Sequence, residues 1–163
     1  MSLTRKEIRH RIAEALQVLQ GVKIYSGRFQ PTDCSEVPFI RVCTLNEESE
    51  LLYDDSFRRT LTLTVLIYQD GAEELDDDLD DLSEKVEQIL LANPLRGEIQ
   101  QIQLKSMRLD ASSSANRELG CTELTFEILY DWYLTINPTT LCAVSGQIET
   151  KGLSMEFEEK LNE

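Results

Sequence analysis

The stretch from Arg58 to Tyr68, RRTLTLTVLIY, constrains the fold more than any other part of this 163-residue chain. Leu61, Leu63, Val65 and Ile67 alternate with Thr60, Thr62 and Thr64, which is the two-residue period of a strand with one buried face. Such a strand does not stand alone. It needs paired neighbours and an apolar layer over its buried side.

The covering layer is legible on both sides of it. Thr4 and Glu7 have the spacing of a capping box, and Leu3 with Ile8 that of a hydrophobic staple, so a helix is expected to begin there. Ile8, Ile12, Leu16 and Leu19 recur at helical spacing, and Gly21 supplies a stop. A second helix is expected from Glu73 to about Leu91, with Leu75, Leu79, Leu82, Val86, Ile89 and Leu90 on one stripe and Asn93–Pro94 ending it.

Partner strands are expected over Val22 to Tyr25, Pro38 to Thr44, Gln101 to Leu109 and Thr122 to Leu134. In the last of these Leu124, Phe126, Ile128, Tyr130 and Trp132 share a face. A loop containing Gly27, Pro31, Asp33 and Ser35 joins the first two, and a polar turn from Ala111 to Arg117 joins the last two. Leu45 to Ser56 is acidic with weak periodicity and reads as a long loop or the wide end of a hairpin. The order α-β-β-β-α-β-β predicts an α+β domain, a mostly antiparallel sheet of about five strands with two main helices packed on one face. That domain is placed at residues 1–134. Residues 135–163 read as a C-terminal extension, a linker and a short amphipathic helix carrying Leu153, Phe157 and Leu161.

Charge narrows the function. With 30 acids against 16 bases the net charge is −14, opposite to what counterion displacement from phosphates requires, so neither nucleic acid nor an anionic membrane is expected as a direct partner. Like-charged subunits repel, so an oligomer must offset that charge with packing, bases or ions. No window approaches the roughly 20 apolar residues of a membrane span, and no leader pattern opens the chain, so a cytoplasmic protein is expected. Cys34, Cys43, Cys121 and Cys142 form no CxxC pair, which argues against zinc; in the cytoplasm they are expected to be reduced, and Cys34 and Cys43 read as buried thiols.

The acidic run EELDDDLDD, Glu73 to Asp81, is the strongest candidate for a cation site. Asp76, Asp78, Asp80 and Glu87 fall at positions one, three, five and twelve of a calcium loop. That loop needs glycine at position six, where Asp81 stands, and the helical stripe runs through the segment. An exposed acidic helix favoured by the macrodipole is the better reading, with at most a weakly bound divalent cation. No cofactor is expected. The lone histidine, His10, lies among Arg5, Lys6, Arg9 and Arg11, a solvated or subunit-facing basic surface rather than a nucleophile's base. GxSxG, P-loop and GxGxxG motifs are absent, so no enzyme is expected. Arg58 and Arg59 follow Asp54 and Asp55 closely. This is ordinarily a surface ion-pair set, and in an oligomer these four residues form a candidate subunit interface.

Several segments in succession resemble the minor tail protein U family of lambda-like phages, the tail terminators. They are Gly27 to Phe29 (GRF), Val37 to Val42 (VPFIRV), Asp54 to Tyr68 (DDSFRRTLTLTVLIY), Glu74 to Leu82 (ELDDDLDDL) and Leu124 to Tyr133 (LTFEILYDWY). The resemblance covers about residues 1–134. It implies a homohexameric ring that caps the tail tube, stops its polymerisation and provides the head-joining surface. The partners it implies are the chain itself, a tail tube protein and a head-tail connector protein, with assembly in the host bacterial cytoplasm and residence in the virion tail. It brings no catalytic site. The segment after Thr135 extends beyond the family's usual end, and Leu153, Phe157 and Leu161 are expected to pack on a neighbouring subunit. The rival readings are a monomeric or dimeric α+β adaptor or regulator, and a small metal-dependent enzyme using the Glu73 to Asp81 acids.

Overall fold

The computed structural model describes residues 3–27, 37–71, 74–92, 94–114, 117–134, 149–150 and 153–154. The first helix, α1 (Arg5–Ala15), starts where its cap requires. Thr4 Oγ1 accepts from the Glu7 amide at 3.3 Å, and the Glu7 carboxylate accepts from the Thr4 amide at 2.8 Å. These bonds satisfy backbone donors that a helix start otherwise leaves orphaned. Ile8, Ile12 and Ala13 are buried, a 3-10 turn (Leu16–Val18) follows, and Gly21 at φ +76° turns the chain toward β1 (Lys23–Ser26). That backbone angle is cheap only without a Cβ.

Strands β2 (Phe39–Tyr53) and β3 (Ser56–Gly71) form a long hairpin, followed by α2 (Leu75–Leu91), β4 (Gln101–Ser114) and β5 (Arg117–Tyr133). The sheet order is β1-β2-β3-β5-β4. β3 is central, paired antiparallel with β2 on one side and with β5 on the other. Leu61, Leu63, Val65 and Ile67 are all at 0% exposure, under α1 and α2 together.

The five-stranded sheet, two helices and α+β class are as expected, but the expectation of a mostly antiparallel sheet is corrected. The sheet is mixed, because β1 lies parallel to β2, Lys23 opposite Phe39 through Ser26 opposite Val42. A parallel neighbour requires the chain to return to the end at which it started, and the link from Gly27 to Pro38, about a dozen residues, is long enough for that. Local-connection arguments assume tight hairpins and miss this case.

The element order also carries additions, the 3-10 turn and two short C-terminal strands. β6 (Glu149–Thr150) pairs antiparallel with β7 (Leu153–Ser154), so Leu153 lies in a strand and not in the expected helix. Apolar residues at every fourth position, repeated so few times and next to Gly152, are too short a signal to decide helix against strand. Phe157 and Leu161 lie outside the described residues, as do Pro31, Asp33, Ser35, Cys34 and Cys142. Of the two readings of Leu45 to Ser56, the hairpin end is the one formed, with strand through Tyr53 and again from Ser56, and one further expectation is revised, since strand structure continues through Ala111–Ser114 where a turn was expected.

Gly120 on β5 is what lets α2 sit close to the sheet. A Cβ there would clash with Leu79 Cδ1 and lie 3.2 and 3.3 Å from the two δ-carbons of Leu75, so the fully buried Leu79 side chain would have to shift within a packed core. Gly120→Ala is therefore expected to destabilise the domain by about 1–3 kcal/mol through overpacking, read as a lowered urea midpoint with an unchanged m-value.

Candidate functional site

The hairpin of β2 and β3, together with the end of β5, runs past the helices and forms a projecting tip. A bulge sets up its chemistry. Thr44 pairs with Leu63, Asn46 with Thr62 and Glu47 with Leu61, so Leu45 is an extra residue on β2. Without it Asn46 would share the helix-side face with Leu61; with it Glu47 does.

Glu47 is thereby placed against the end of the core, its side chain only 11% exposed, and three groups hold it. Arg59 Nη1 donates to Oε2 at 3.3 Å, the Tyr130 hydroxyl donates to Oε1, and Arg5 Nη1 lies 3.7 Å from Oε2. Arg59 also stacks 4.1 Å above the Trp132 ring, against which Phe57 packs at 5.8 Å. A guanidinium held between a carboxylate and an aromatic face is constrained in both orientation and position. Tyr130 is fully buried. Burial first, then its bond to Glu47, push its hydroxyl from the ordinary 10.0 up to about 12, with Arg59 opposing.

On the other face of the sheet, Arg58 Nε donates to Asp131 Oδ1 at 3.3 Å, and Gln100 Nε2 donates to Oδ2 of the same carboxylate. Asp54 and Asp55 form the exposed turn between β2 and β3, and the Asp55 carbonyl accepts from the Leu134 amide at 2.8 Å. The ion-pair set expected among Asp54, Asp55, Arg58 and Arg59 is thus not the one formed. Both arginines reach across strands, to Asp131 and Glu47, because neighbouring residues on a strand point to opposite faces whereas cross-strand partners share one.

Around this turn apolar groups stand in solvent. Tyr53 and Tyr133, each paired with Ser56 from opposite sides, are 80% and 56% exposed, and Leu51 and Leu134 are exposed nearby. Trp132, the last residue of the face shared with Leu124 to Tyr130, packs partly buried at the edge of the core. Contiguous exposed apolar groups beside a rigid charged cluster are the usual mark of a protein contact surface.

A second feature is an open groove of about 840 Å³ along α1, lined by Arg5, Lys6 and Arg9 on one wall and Ser26, Thr44 and Leu45 among the residues facing them. Arg9 Nε donates to Ser26 Oγ at 3.0 Å, while Arg11 on the opposite flank pairs with Glu98. His10 is exposed on the same helix.

The calcium-loop reading is overturned, since Asp76 to Glu87 lie within the continuous helix α2. Among the described residues no group of three or more His, Cys, Asp or Glu is placed to hold a metal ion. Cys43 is buried and its Sγ donates to the Gly27 carbonyl at 3.4 Å, Cys121 is half-buried, and neither is in a disulfide. No helix among the described residues is long and apolar enough to cross a membrane.

Compared with known proteins, the chain matches the family model described as phage minor tail protein U over residues 3–130. No curated protein matches it.

The Glu47 cluster generates two expected outcomes. Glu47→Ala strands Arg59 and Tyr130 and is expected to cost on the order of 2 kcal/mol or more, against less than about 1 kcal/mol for the more exposed Arg58→Ala, both read by urea denaturation. Because the folded state raises the Tyr130 pKa, it favours the protonated hydroxyl. That contribution is complete below pH 10 and is lost as the pH rises toward about 12, and Tyr130→Phe is expected to remove this part of the alkaline fall in stability.

Proposed function

The chain belongs to the phage minor tail protein U family, a structural component of phage tails, and on that premise we propose that it is a tail terminator. Copies close into a homohexameric ring that caps the tail tube, stops its polymerisation and presents the surface to which the head is joined. The observation that carries this reading is the extent of the family match, which runs from the first helix into the last long strand, ending three residues before Tyr133, and so takes in both covering helices and nearly all of the five-stranded sheet.

The projecting tip supports it from a second direction. A ring subunit needs a stiff apolar surface to offer to a neighbour or to the tube, and Tyr53, Tyr133 and Leu51 are such a surface, beside the exposed Asp54 and Asp55. Arg58 and Arg59 serve the contact by bracing the tip from inside, through Asp131 and Glu47. Leu153, Phe157 and Leu161 add a contact to the neighbouring subunit. The partners in this reading are other copies of the chain, the tail tube protein and the head-tail connector protein, with assembly in the host cytoplasm and no direct nucleic acid or membrane contact. A weakly bound divalent cation relieves repulsion between subunits of charge −14. The role needs geometry and adhesion and no catalysis.

Light scattering over a concentration series, with and without magnesium, combined with capping of tail tubes assembled from the matching tube protein, tests the proposal. The expected result is a species of six times the 18.7 kDa chain, in solution or on the tube, and an arrest of tube growth. Deletion from Thr150 onward is expected to weaken that assembly without unfolding the domain. A protein that stays monomeric or dimeric and leaves tube growth unchanged overturns the reading in favour of an adaptor, and tight saturable magnesium or calcium binding would favour the metal-dependent enzyme.

A further inference from the structure

A closed ring of identical subunits joins each copy to the next through two different surfaces that must be complementary and must lie on opposite sides of the subunit. The fold separates two oppositely charged surfaces in that way. β1 and β4 are the opposite edges of the sheet. α1 lies over β1 and β2, whereas α2 lies over β3, β5 and β4.

The cations of α1 are divided between its flanks. Arg11 reaches toward the α2 side, to Glu98. Arg5, Lys6 and Arg9 line the groove on the other flank, where the helix borders Ser26 at the end of β1 and the bulged Leu45 of β2; Glu47 lines it too and pairs with Arg5, so the positive charge offered to a partner is that of Lys6 and Arg9. On α2, Asp76, Asp77, Asp78, Asp80, Asp81 and Glu84 are all solvent-exposed. In a chain of net charge −14, copies brought together at random repel, and the arrangement that turns this repulsion into attraction sets the acidic face of one copy on the basic groove of the next.

We propose that the groove between α1 and β2, with Arg5, Lys6 and Arg9 on its wall, receives the acidic face of α2 from a second copy of this chain. This is the head-to-tail contact of the ring, and it rests on the terminator reading above. It assigns the exposed Leu45 to the floor of that contact. In that contact a neighbour's guanidinium and ammonium groups neutralise the acids of α2.

The test uses two full-length variants, Lys6→Glu with Arg9→Glu, and Asp77→Lys with Asp81→Lys, each first checked by circular dichroism for an unchanged fold. Assembly is read by light scattering in solution and by cross-linking on isolated tail tubes. Each variant alone is expected to need on the order of tenfold or more higher concentration than wild type to assemble. An equimolar mixture is expected to recover wild-type assembly, since alternating subunits restore an acid-to-base contact at every interface of an even-numbered ring. Variants that assemble like wild type, or folded variants that fail to assemble even when mixed, overturn the proposed contact while leaving the ring in place. A wild-type chain that forms no ring in either readout overturns the terminator reading itself. Reversal in α2 without effect, alongside loss of assembly on deletion from Thr150 onward, makes the acidic C-terminal segment the occupant and overturns the assignment to α2.

Discussion

The structure rests on one row of side chains, Leu61, Leu63, Val65 and Ile67, over which the two helices meet. Each buried aliphatic side chain in such a row contributes roughly 1.5–3 kcal/mol, and the row lies on the strand that is hydrogen-bonded along both edges. The length of that strand sets the outline of the domain. A strand of 16 residues extends about 50 Å, whereas a helix of 17 residues is about 25 Å long. Helices of this size cannot cover strands of this size, so the sheet must run past its lid. The projecting tip is a geometric consequence of element lengths before it is anything functional.

Where the apolar lid ends, polar groups must be satisfied or exposed. The bulge at Leu45 resolves this by placing Glu47, a group able to accept several hydrogen bonds, against Arg59, Tyr130 and Arg5. A buried carboxylate is expensive to desolvate and is tolerated only with strong partners. With both oxygens bound and the guanidinium seated on Trp132, the cluster fixes the relative register of three strands just before they emerge into solvent. It therefore stiffens the tip. This is the physical link between the core and the exposed tyrosines beyond it.

The fold was largely legible because its signals are periodic. The Leu61 to Ile67 alternation, the Thr4–Glu7 box and the Leu75 to Leu90 stripe each specify an element from local chemistry alone. What escaped is non-local. The parallel placement of β1 depends on where the chain travels between Gly27 and Pro38, and nothing in Lys23–Ser26 reports its neighbour. The partners of Arg58 and Arg59 escaped for a related reason. Proximity in sequence pointed to Asp54 and Asp55, but partner choice on a sheet is made across strands: Asp131 lies directly opposite Arg58 on β5, and a one-residue bulge on β2 brings in Glu47. Glu47 itself, set in an acidic and weakly periodic segment, carried no mark distinguishing it from Glu48 or Glu50, both of which are exposed.

Charge distribution adds a constraint that the core does not impose. The apolar stripes of α1 and α2 would be equally well buried whatever their outer faces carried, so folding alone leaves the outer residues free. They are nevertheless segregated, with cations along the groove side of α1 and six exposed acids between Asp76 and Glu84 of α2. Part of the α2 pattern is accounted for by its own macrodipole, which favours acids in the first turn by some 0.3–1 kcal/mol each at low ionic strength. That effect fades within a turn and does not reach Asp80, Asp81 or Glu84. For α1 the dipole argument runs the wrong way, since Arg5 and Lys6 occupy the first turn, where positive charge is disfavoured. Apart from Arg5, which meets Glu47 in its own subunit, both helices thus carry charge that local energetics does not ask for, and each carries the sign that the other would attract. Within one subunit the groove is lined by residues outside α2, so under the proposed contact the attraction acts between copies.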